Sequence, residues 1–458
     1  MPLNFYTRLV SSFLFPLQEK LKHHDTVKIR KDMERTQWLS PEHLEEFRVK
    51  RLRTFLADVD KHVPYFRNFF RDMAFDPSSI QSTSDITSLP FLTKDLIRAN
   101  TDRLKSDVAH SLVRFNTGGS SGEPLIFYLG NERVSHDVAA KWRATRWWNV
   151  DIGDPEIVVW GSPIELGSQD KVRMIRDHVM RTKLIPAFEM SEEKLDIFLR
   201  AIRTMRPKML FGYPSALSHI ARHADAKGIC MDDLGIRVAF TTSERLYDEQ
   251  RQQIASTFAC RVANGYGGRD SGFIAHECPS GGMHITAEDL IVEIIDSEGK
   301  VLPPSQSGEI VITHLATKDF PFIRYRTGDI GILDENACPC GRGLPLLKEI
   351  QGRTTDFVVA RDGTVMHGLA LIYILRDLPG IKAFKIIQES LDRTRVLLAT
   401  DCQFDEQNCA EIITGFKQRL GQSVKIEIER VAAIPKESSG KFRYIVSKVT
   451  GTTAETET

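Results

Sequence analysis

The sequence predicts an α/β protein: a large N-terminal domain of mostly parallel, helix-covered sheets, followed by a small C-terminal α+β domain. Three observations carry this. Short apolar runs alternate with amphipathic ones between Glu156 and Phe258, strand patterns crowd together from Leu290 to Leu333, and the texture changes to a compact α/β segment after Gly352. Fully apolar strands separated by helices mark a parallel sheet covered on both faces. At 458 residues the chain also exceeds one typical core.

Taken in order, residues 1–75 read as a helical segment packed on the large domain. From Pro41 to Leu56 apolar residues recur at helical spacing, with Ser40 as N-cap and Pro41 at the first helical position. Phe5–His24 mixes basic and apolar residues, which suits either packing on the body or peripheral contact with a membrane surface. Packing is preferred, because binders of acidic lipid usually carry denser basic clusters. The large domain then spans 76–351. Its expected helices are Glu132–Trp148, Glu192–Met205, Pro214–Lys227 and Tyr247–Phe258. Its expected strands are Glu156–Trp160, Lys208–Gly212, Val238–Thr242, Val262–Gly265, Leu290–Ile295 and Glu309–Thr313. The small domain spans 352–449, and the polar tail 450–458 reads as disordered.

Composition excludes some classes. A formal net charge of zero argues against a nucleic-acid binder, which usually shows a basic excess. No apolar run approaches the ~18 residues of a membrane span, so no integral membrane segment is expected. Met1–Leu17 lacks a small-residue cleavage site. Seven cysteines, odd in number and irregular in spacing, suit a reducing compartment, and a cytoplasmic location is expected.

The chemistry-bearing stretch is Phe115–Tyr128, in which apolar flanks enclose Thr117, Gly118, Gly119, Ser120, Ser121 and Gly122. Glycines let the backbone close around an anion, and successive N–H groups with the hydroxyls can donate to phosphate oxygens. A plain hairpin loop is the alternative. No Gly-Lys-Ser/Thr follows and Leu125–Leu129 reads as strand, so this is not a Walker A loop. Downstream come Asn264–Asp270, Tyr325–Asp329, Gly352–Asp356 and Pro435–Lys441, which with this loop make five glycine-punctuated motifs in one order.

With these motifs the chain resembles the adenylate-forming superfamily of acyl-CoA synthetases, and within it the phenylacetate–CoA ligase branch with its capsule-biosynthesis-associated relatives. Val63–Arg67 and Leu89–Lys94 are similar to that branch as well. The resemblance implies that the small domain is a mobile lid. It also implies a two-step ligase: a small-molecule carboxylic acid attacks the α-phosphate of ATP, and an acceptor, most often coenzyme A, then displaces AMP. It places Thr117–Gly122 on the phosphates and Ser243, Glu244, Asn264, Gly265, Tyr266 and Gly267 around the adenine. Asp270 would hold magnesium, Asp329 the ribose hydroxyls, and Arg353 the ribose-phosphate region beside a hinge in Gly352–Asp356. Lys441 would neutralise charge at the acyl-adenylate. The chain departs from the family pattern at Asp270, usually glutamate; at Glu123, usually lysine; at Thr355, usually aspartate; and at Arg269, which would supply the missing positive charge or form an ion pair with Glu123.

Two readings of the acceptor stay open, coenzyme A or an amine or hydroxyl in surface-polysaccharide biosynthesis, and an inactive nucleotide-binding scaffold is a third. Trp142–Trp148 and Gly212–Pro214 either line a pocket for a planar acid or pack a core. A separate set, Cys278, His284, Cys338 and Cys340, has the composition of a closed Cys₃His structural zinc site, with buried cysteines at a turn as the alternative.

Overall fold

A computed structural model describes residues 4–117, 125–160, 171–187, 192–353, 357–362, 365–367, 369–376, 378–434 and 444–449. Gly118–Gly122, Glu123, Thr355, Lys441 and the 450–458 tail lie outside the described residues. The chain forms two compact units, Met1–Gln351 and Gly352–Thr458.

In the first unit a two-stranded antiparallel hairpin, β1 (Val113–Asn116) and β2 (Ile126–Leu129), stands apart from the main sheet. That sheet has eleven strands. They are β3 (Glu156–Trp160), β4 (Thr182–Pro186), β5 (Met209–Gly212), β6 (Val238–Thr242), β7 (Arg261–Gly268), β8 (Gly272–Glu277), β9 (Met283–Ile285), β10 (Leu290–Ile295), β11 (Ser307–His314), β12 (Tyr325–Asp334) and β13 (Leu346–Arg353). Their order is β10-β11-β12-β13-β9-β8-β7-β6-β5-β3-β4.

The expected helix-covered parallel sheet is the run β4-β3-β5-β6-β7. Beyond it the strands β7 to β9 and β10 to β12 pair antiparallel, as do β9 and β13. The cause is connection length. A parallel neighbour needs a crossover of about a dozen residues or more, whereas only tight turns join β7 to β8 and β8 to β9. Parallel pairing therefore describes one half of the sheet rather than most of it.

Alternation along the parallel strands splits the core between two faces. Leu210, Ala239 and Val262 pack with Leu195, Phe198, Leu217, Ile220, Ile254 and Phe258 from the covering helices. Met209, Phe211, Val238 and Phe240 join a second core with Ala144, Trp147 and Trp148, from the helix Asn131–Trp147 and the residue that caps it. The N-terminal segment is helical, including Thr26–Thr36, Pro41–His62 and Pro64–Asp72. Ser40 caps Pro41–His62 by accepting the His43 N–H at 3.4 Å. Ion pairs tie these layers, Arg143 to Glu288 at 2.5 Å and Arg51 to Asp289 at 3.1 Å, and His136 Nδ1 lies 2.7 Å from Asp289.

The second unit has a hairpin, β14 (Phe357–Val359) with β15 (Val365–His367), and a four-stranded sheet. The sheet order is β18 (Lys425–Arg430), β17 (Arg393–Thr400), β16 (Ile381–Ser390), β19 (Ile445–Ser447). Phe384, Ile386, Val396 and Leu398 pack against Ile412 and Phe416 of the helix Glu406–Leu420.

Candidate active site

In open α/β sheets ligands bind beyond the carboxyl ends of the parallel strands. Two of the expected nucleotide segments fall there, Ser243-Glu244 after β6 and Asn264–Gly267 at the end of β7, together with Gly212-Tyr213 at the end of β5, from the stretch expected to line an acid pocket or pack a core. Ser243 has φ = +70°, a left-handed conformation costly for a side chain with a Cβ, and such strain gathers at ligand sites. Glu244 accepts the Ser215 N–H at 3.3 Å at the start of the helix Pro214–Ala226, which fixes its carboxylate. A Cβ on Gly267 would lie 2.1 Å from the Gly272 carbonyl, so only glycine lets the β7–β8 turn close this tightly.

Two carboxylates are held by tyrosine hydroxyls. The Tyr325 hydroxyl donates to Asp270 at 2.6 Å, and the Tyr266 hydroxyl donates to Asp329 at 2.8 Å. Asp270 also accepts the Ser271 N–H at 3.0 Å, while Arg133 reaches its carbonyl at 3.4 Å. Each Asp270 oxygen accepts one of these bonds and keeps lone-pair capacity for a hard cation. Tyr325 is fully buried against Phe322, which in turn packs on Phe127 of the β1–β2 hairpin. Thr117 opens the loop between these strands. Its N–H donates to the Leu125 carbonyl at 3.0 Å and its hydroxyl accepts the Leu125 N–H at 2.9 Å. Arg269 donates to the Asn116 carbonyl at 3.5 Å, so the loop's entry lies beside the Arg269-Asp270 turn. Arg353 closes β13, while the loop itself and Lys441 are not described.

An aromatic row crosses the sheet under this site. Trp160 packs on Tyr213 and Phe211 with centroids 4.5 and 5.9 Å apart; Phe211 meets Phe240 at 6.0 Å, and Phe240 meets His276 at 5.8 Å. His276 stacks on Phe273 at 5.4 Å, and neither ring nitrogen has a hydrogen-bond partner among the described residues. Burial, with Arg143 and Lys141 nearby, pushes its pKa down to about 3. The tryptophans of 142–148 do other work. Trp142 packs on Phe15 and donates to Asp151, Trp147 donates to Gln37, and Trp148 donates to the Glu277 carbonyl. Their N–H groups are spent on the core, and at the strand ends the partly buried Trp160 packs over Tyr213, which is itself buried.

A second site is built from two matched turns, Cys278-Pro-Ser-Gly281 and Cys338-Pro-Cys-Gly341. Each closes by a glycine N–H on the first cysteine's carbonyl, at 2.9 and 3.1 Å, with Gly281 and Gly341 at φ = +88° and +81°. The ligand atoms of Cys278, His284, Cys338 and Cys340 all lie within 4.8 Å of one another. Cys278 and Cys338 sulfurs are 3.6 Å apart, and His284 Nε2 is 3.2 Å from Cys340 Sγ. Zinc–sulfur bonds of about 2.3 Å at tetrahedral angles ask for separations of this size. His284 Nδ1 faces the Leu344 carbonyl at 3.3 Å; donating there leaves Nε2 as the ligand. Three sulfurs and one imidazole fit a closed structural zinc set.

Of the expected residues, the described ones at the strand ends come together. Ser243, Glu244, Asn264, Gly265, Tyr266 and Gly267 share the carboxyl ends, Asp270 follows in the β7–β8 turn, Asp329 of β12 joins them through the Tyr266 hydroxyl, and Thr117 and Arg269 border them. Tyr325, Arg133 and His276 carry parts in the site that the sequence reading did not assign. Tyr325 lay inside a quoted motif, whereas a helical arginine and a strand histidine give no local signal.

An eleven-stranded mixed sheet with a separate small α/β unit is the fold of the adenylate-forming ligases. Solved 2-hydroxyisobutyryl-CoA ligase in its postadenylation state, in complex with R3-HIB-AMP, superposes with a TM-score of 0.73 at 19% identity, covering 91% of this chain and 92% of that one. The same ligase with 2-HIB-AMP and CoA in the thioesterification state gives 0.61 at 20% identity, covering 90% and 91%. In sequence the homologues are Protein CapK of Staphylococcus aureus, 24% identical over 88% of this chain and 89% of that protein, and phenylacetate-coenzyme A ligases. The ligase of Pseudomonas putida is 24% identical over 88% of this chain and 94% of its own. Residues 358–448 match the CapK C-terminal domain family.

Proposed function

We propose that this protein is an AMP-forming acid–thiol ligase. The pairing of Asp270 with Tyr325 and of Asp329 with Tyr266 at one end of the sheet carries the reading, because it presents two fixed carboxylates where a nucleotide would lie. Asp329 would accept from the ribose hydroxyls, and Asp270 would ligate the magnesium that accompanies ATP, a cation that supplies charge neutralisation to the phosphates. Thr117–Gly122 would donate to the phosphate oxygens and Arg269 would stand beside them, with Arg353 at the ribose-phosphate side.

In the first step a carboxylate oxygen bonds to the α-phosphorus, the bridging P–O bond to the β-phosphate breaks, and pyrophosphate leaves. In the second a thiolate sulfur bonds to the acyl carbon, the C–O bond of the mixed anhydride breaks, and AMP leaves. Relatives named for coenzyme A support that acceptor. An amine or hydroxyl of a surface polysaccharide is the second reading for the acceptor. Structural zinc at Cys278, His284, Cys338 and Cys340 would brace β8, β9 and the turn before β13. Its role there is folding, since no ligand position stays open.

Acid-dependent exchange of labelled pyrophosphate into ATP, run over a panel of aryl and alkyl acids, tests the reading. Exchange with at least one acid is expected, and none with any acid overturns it. Lys441→Ala should cut exchange by orders of magnitude yet leave thioester formation from preformed acyl-adenylate intact, because a cation at the transferring phosphoryl group serves the first step alone.

A further inference from the structure

The N-terminal helix presents a feature that the ligase reading does not use. Three helical stretches, Phe5–Leu9, Val10–Leu14 and Phe15–Leu21, run on with right-handed helical backbone at both joints. One side is anchored to the first unit. Tyr6 donates to the Val179 carbonyl at 2.8 Å, Thr7 donates to Asp154 at 2.9 Å, and Phe15 meets Trp142 edge-on at 5.1 Å. The other side carries a row at every fourth residue: Phe5, Leu9, Phe13, Leu17 and Leu21, exposed by 80, 40, 59, 47 and 74%. Singly exposed apolar residues are ordinary, but five in line are not.

The middle stretch makes the row straight. In an α-helix of 3.6 residues per turn, positions four apart drift by roughly 40°, so a row of five would wind away from one face. Val10–Leu14 is π-helical, a wider turn that takes up part of that drift at the centre of the row.

Charge identifies the occupant. Arg8, Lys20 and Lys22 are exposed beside the row. The one acid between Asn4 and His24 is Glu19, which is 3% exposed and turned inward onto Thr26 at 2.5 Å and His24 at 3.2 Å. It lies 4.0 Å from Lys22. The outward face is thus apolar and cationic with no exposed acid, the pattern of a helix lying in a lipid interface. A second copy fits poorly, because two-fold pairing of this face would gather Arg8, Lys20 and Lys22 of both copies with no exposed acid on either helix to offset them. We infer that this face docks peripherally on an anionic bilayer surface, with Phe5, Leu9, Phe13, Leu17 and Leu21 entering the headgroup boundary.

The test is co-sedimentation of the full chain with vesicles of phosphatidylglycerol and phosphatidylethanolamine, against vesicles of phosphatidylcholine alone. Binding to the anionic vesicles is expected, weakened by salt as the Debye length shortens. Phe13→Ser with Leu17→Ser should weaken it by roughly 100-fold, from the apolar transfer lost. Arg8→Gln with Lys20→Gln should weaken it roughly tenfold or more. Both variants should keep the wild-type melting temperature and pyrophosphate exchange, since the altered side chains face solvent. Absence of vesicle binding overturns the proposal, as does binding indifferent to the apolar pair. A dimer in sedimentation velocity that dissociates on Phe13→Ser with Leu17→Ser assigns the face to a second copy and overturns it too.

Discussion

Replacing His276 with methionine should flatten the acid side of the stability profile. In the unfolded chain this imidazole titrates near 6.5; in the folded protein burial holds it at about 3. Between those values the unfolded chain binds a proton that the folded one refuses, so stability falls as pH drops below 6.5 and is complete above it. Near pH 4.5, two pH units below the unfolded value, the loss attributable to His276 is about 3 kcal/mol at 1.36 kcal/mol per unit. Methionine fills a similar volume, takes up no proton, and packs well against the Phe273 and Phe240 rings. Urea unfolding of both proteins from pH 7.5 to 4.5 measures the difference. The wild type should lose about 3 kcal/mol more than the variant over that range. Some acid sensitivity remains in the variant, because burial also lowers His314 to about 4. Parallel profiles for the two proteins would refute the reasoning, since they would mean that His276 is not held neutral by its surroundings.

Purified protein should carry about one zinc per chain, and chelation or Cys340→Ser should lower the melting temperature by several degrees; metal analysis without zinc removes the assignment. Tyr325→Phe deletes the hydroxyl on Asp270 and should reduce kcat/KM for adenylation by roughly 10- to 100-fold, the worth of a hydrogen bond to a charged group. A rate within twofold of wild type would show that Asp270 needs no such anchor. Arg269→Lys should raise the ATP KM with little change in melting temperature, because a point charge replaces a planar fork. If Arg269 instead ties to Glu123, then Glu123→Gln and Arg269→Gln should each destabilise the fold, and the double variant should be no worse than either.

Much of the fold was legible because its signals are local. The apolar runs at Glu156–Trp160, Val238–Thr242 and Leu290–Ile295 are strands with those bounds, and Glu192–Met205 is a helix with those bounds. Ser40 caps its helix as its side chain and the following proline indicated. The strand β4 and the antiparallel β8 escaped notice, since Thr182–Pro186 holds a lysine and a proline and Gly272–Glu277 ends in His-Glu. At the site, glycine turns and acids announced themselves. What did not was the set of partners reaching them from afar: Tyr325 lies 55 residues from Asp270, and Arg133 lies 137 away. The tryptophans left two readings open for the same reason. Aromatic content shows that surface is buried, but the acceptors Asp151, Gln37 and Glu277 decide against what.

The two cysteine turns bear on how the chain is made. Cys278 and Cys338 are 60 residues apart, and the strands β10, β11 and β12 lie between them. As synthesis proceeds, the first turn with His284 emerges as an incomplete clamp with one sulfur and one imidazole. The second arrives only after those three strands are available to fold. An ion gripped by all four ligands would close that loop and remove ~4 kcal/mol of chain entropy from any unfolded competitor, by the rule for cross-links of this span. Zinc would then act as a late fastener, locking the antiparallel half of the sheet once its strands are in register and leaving a mispaired ribosomal product unlatched.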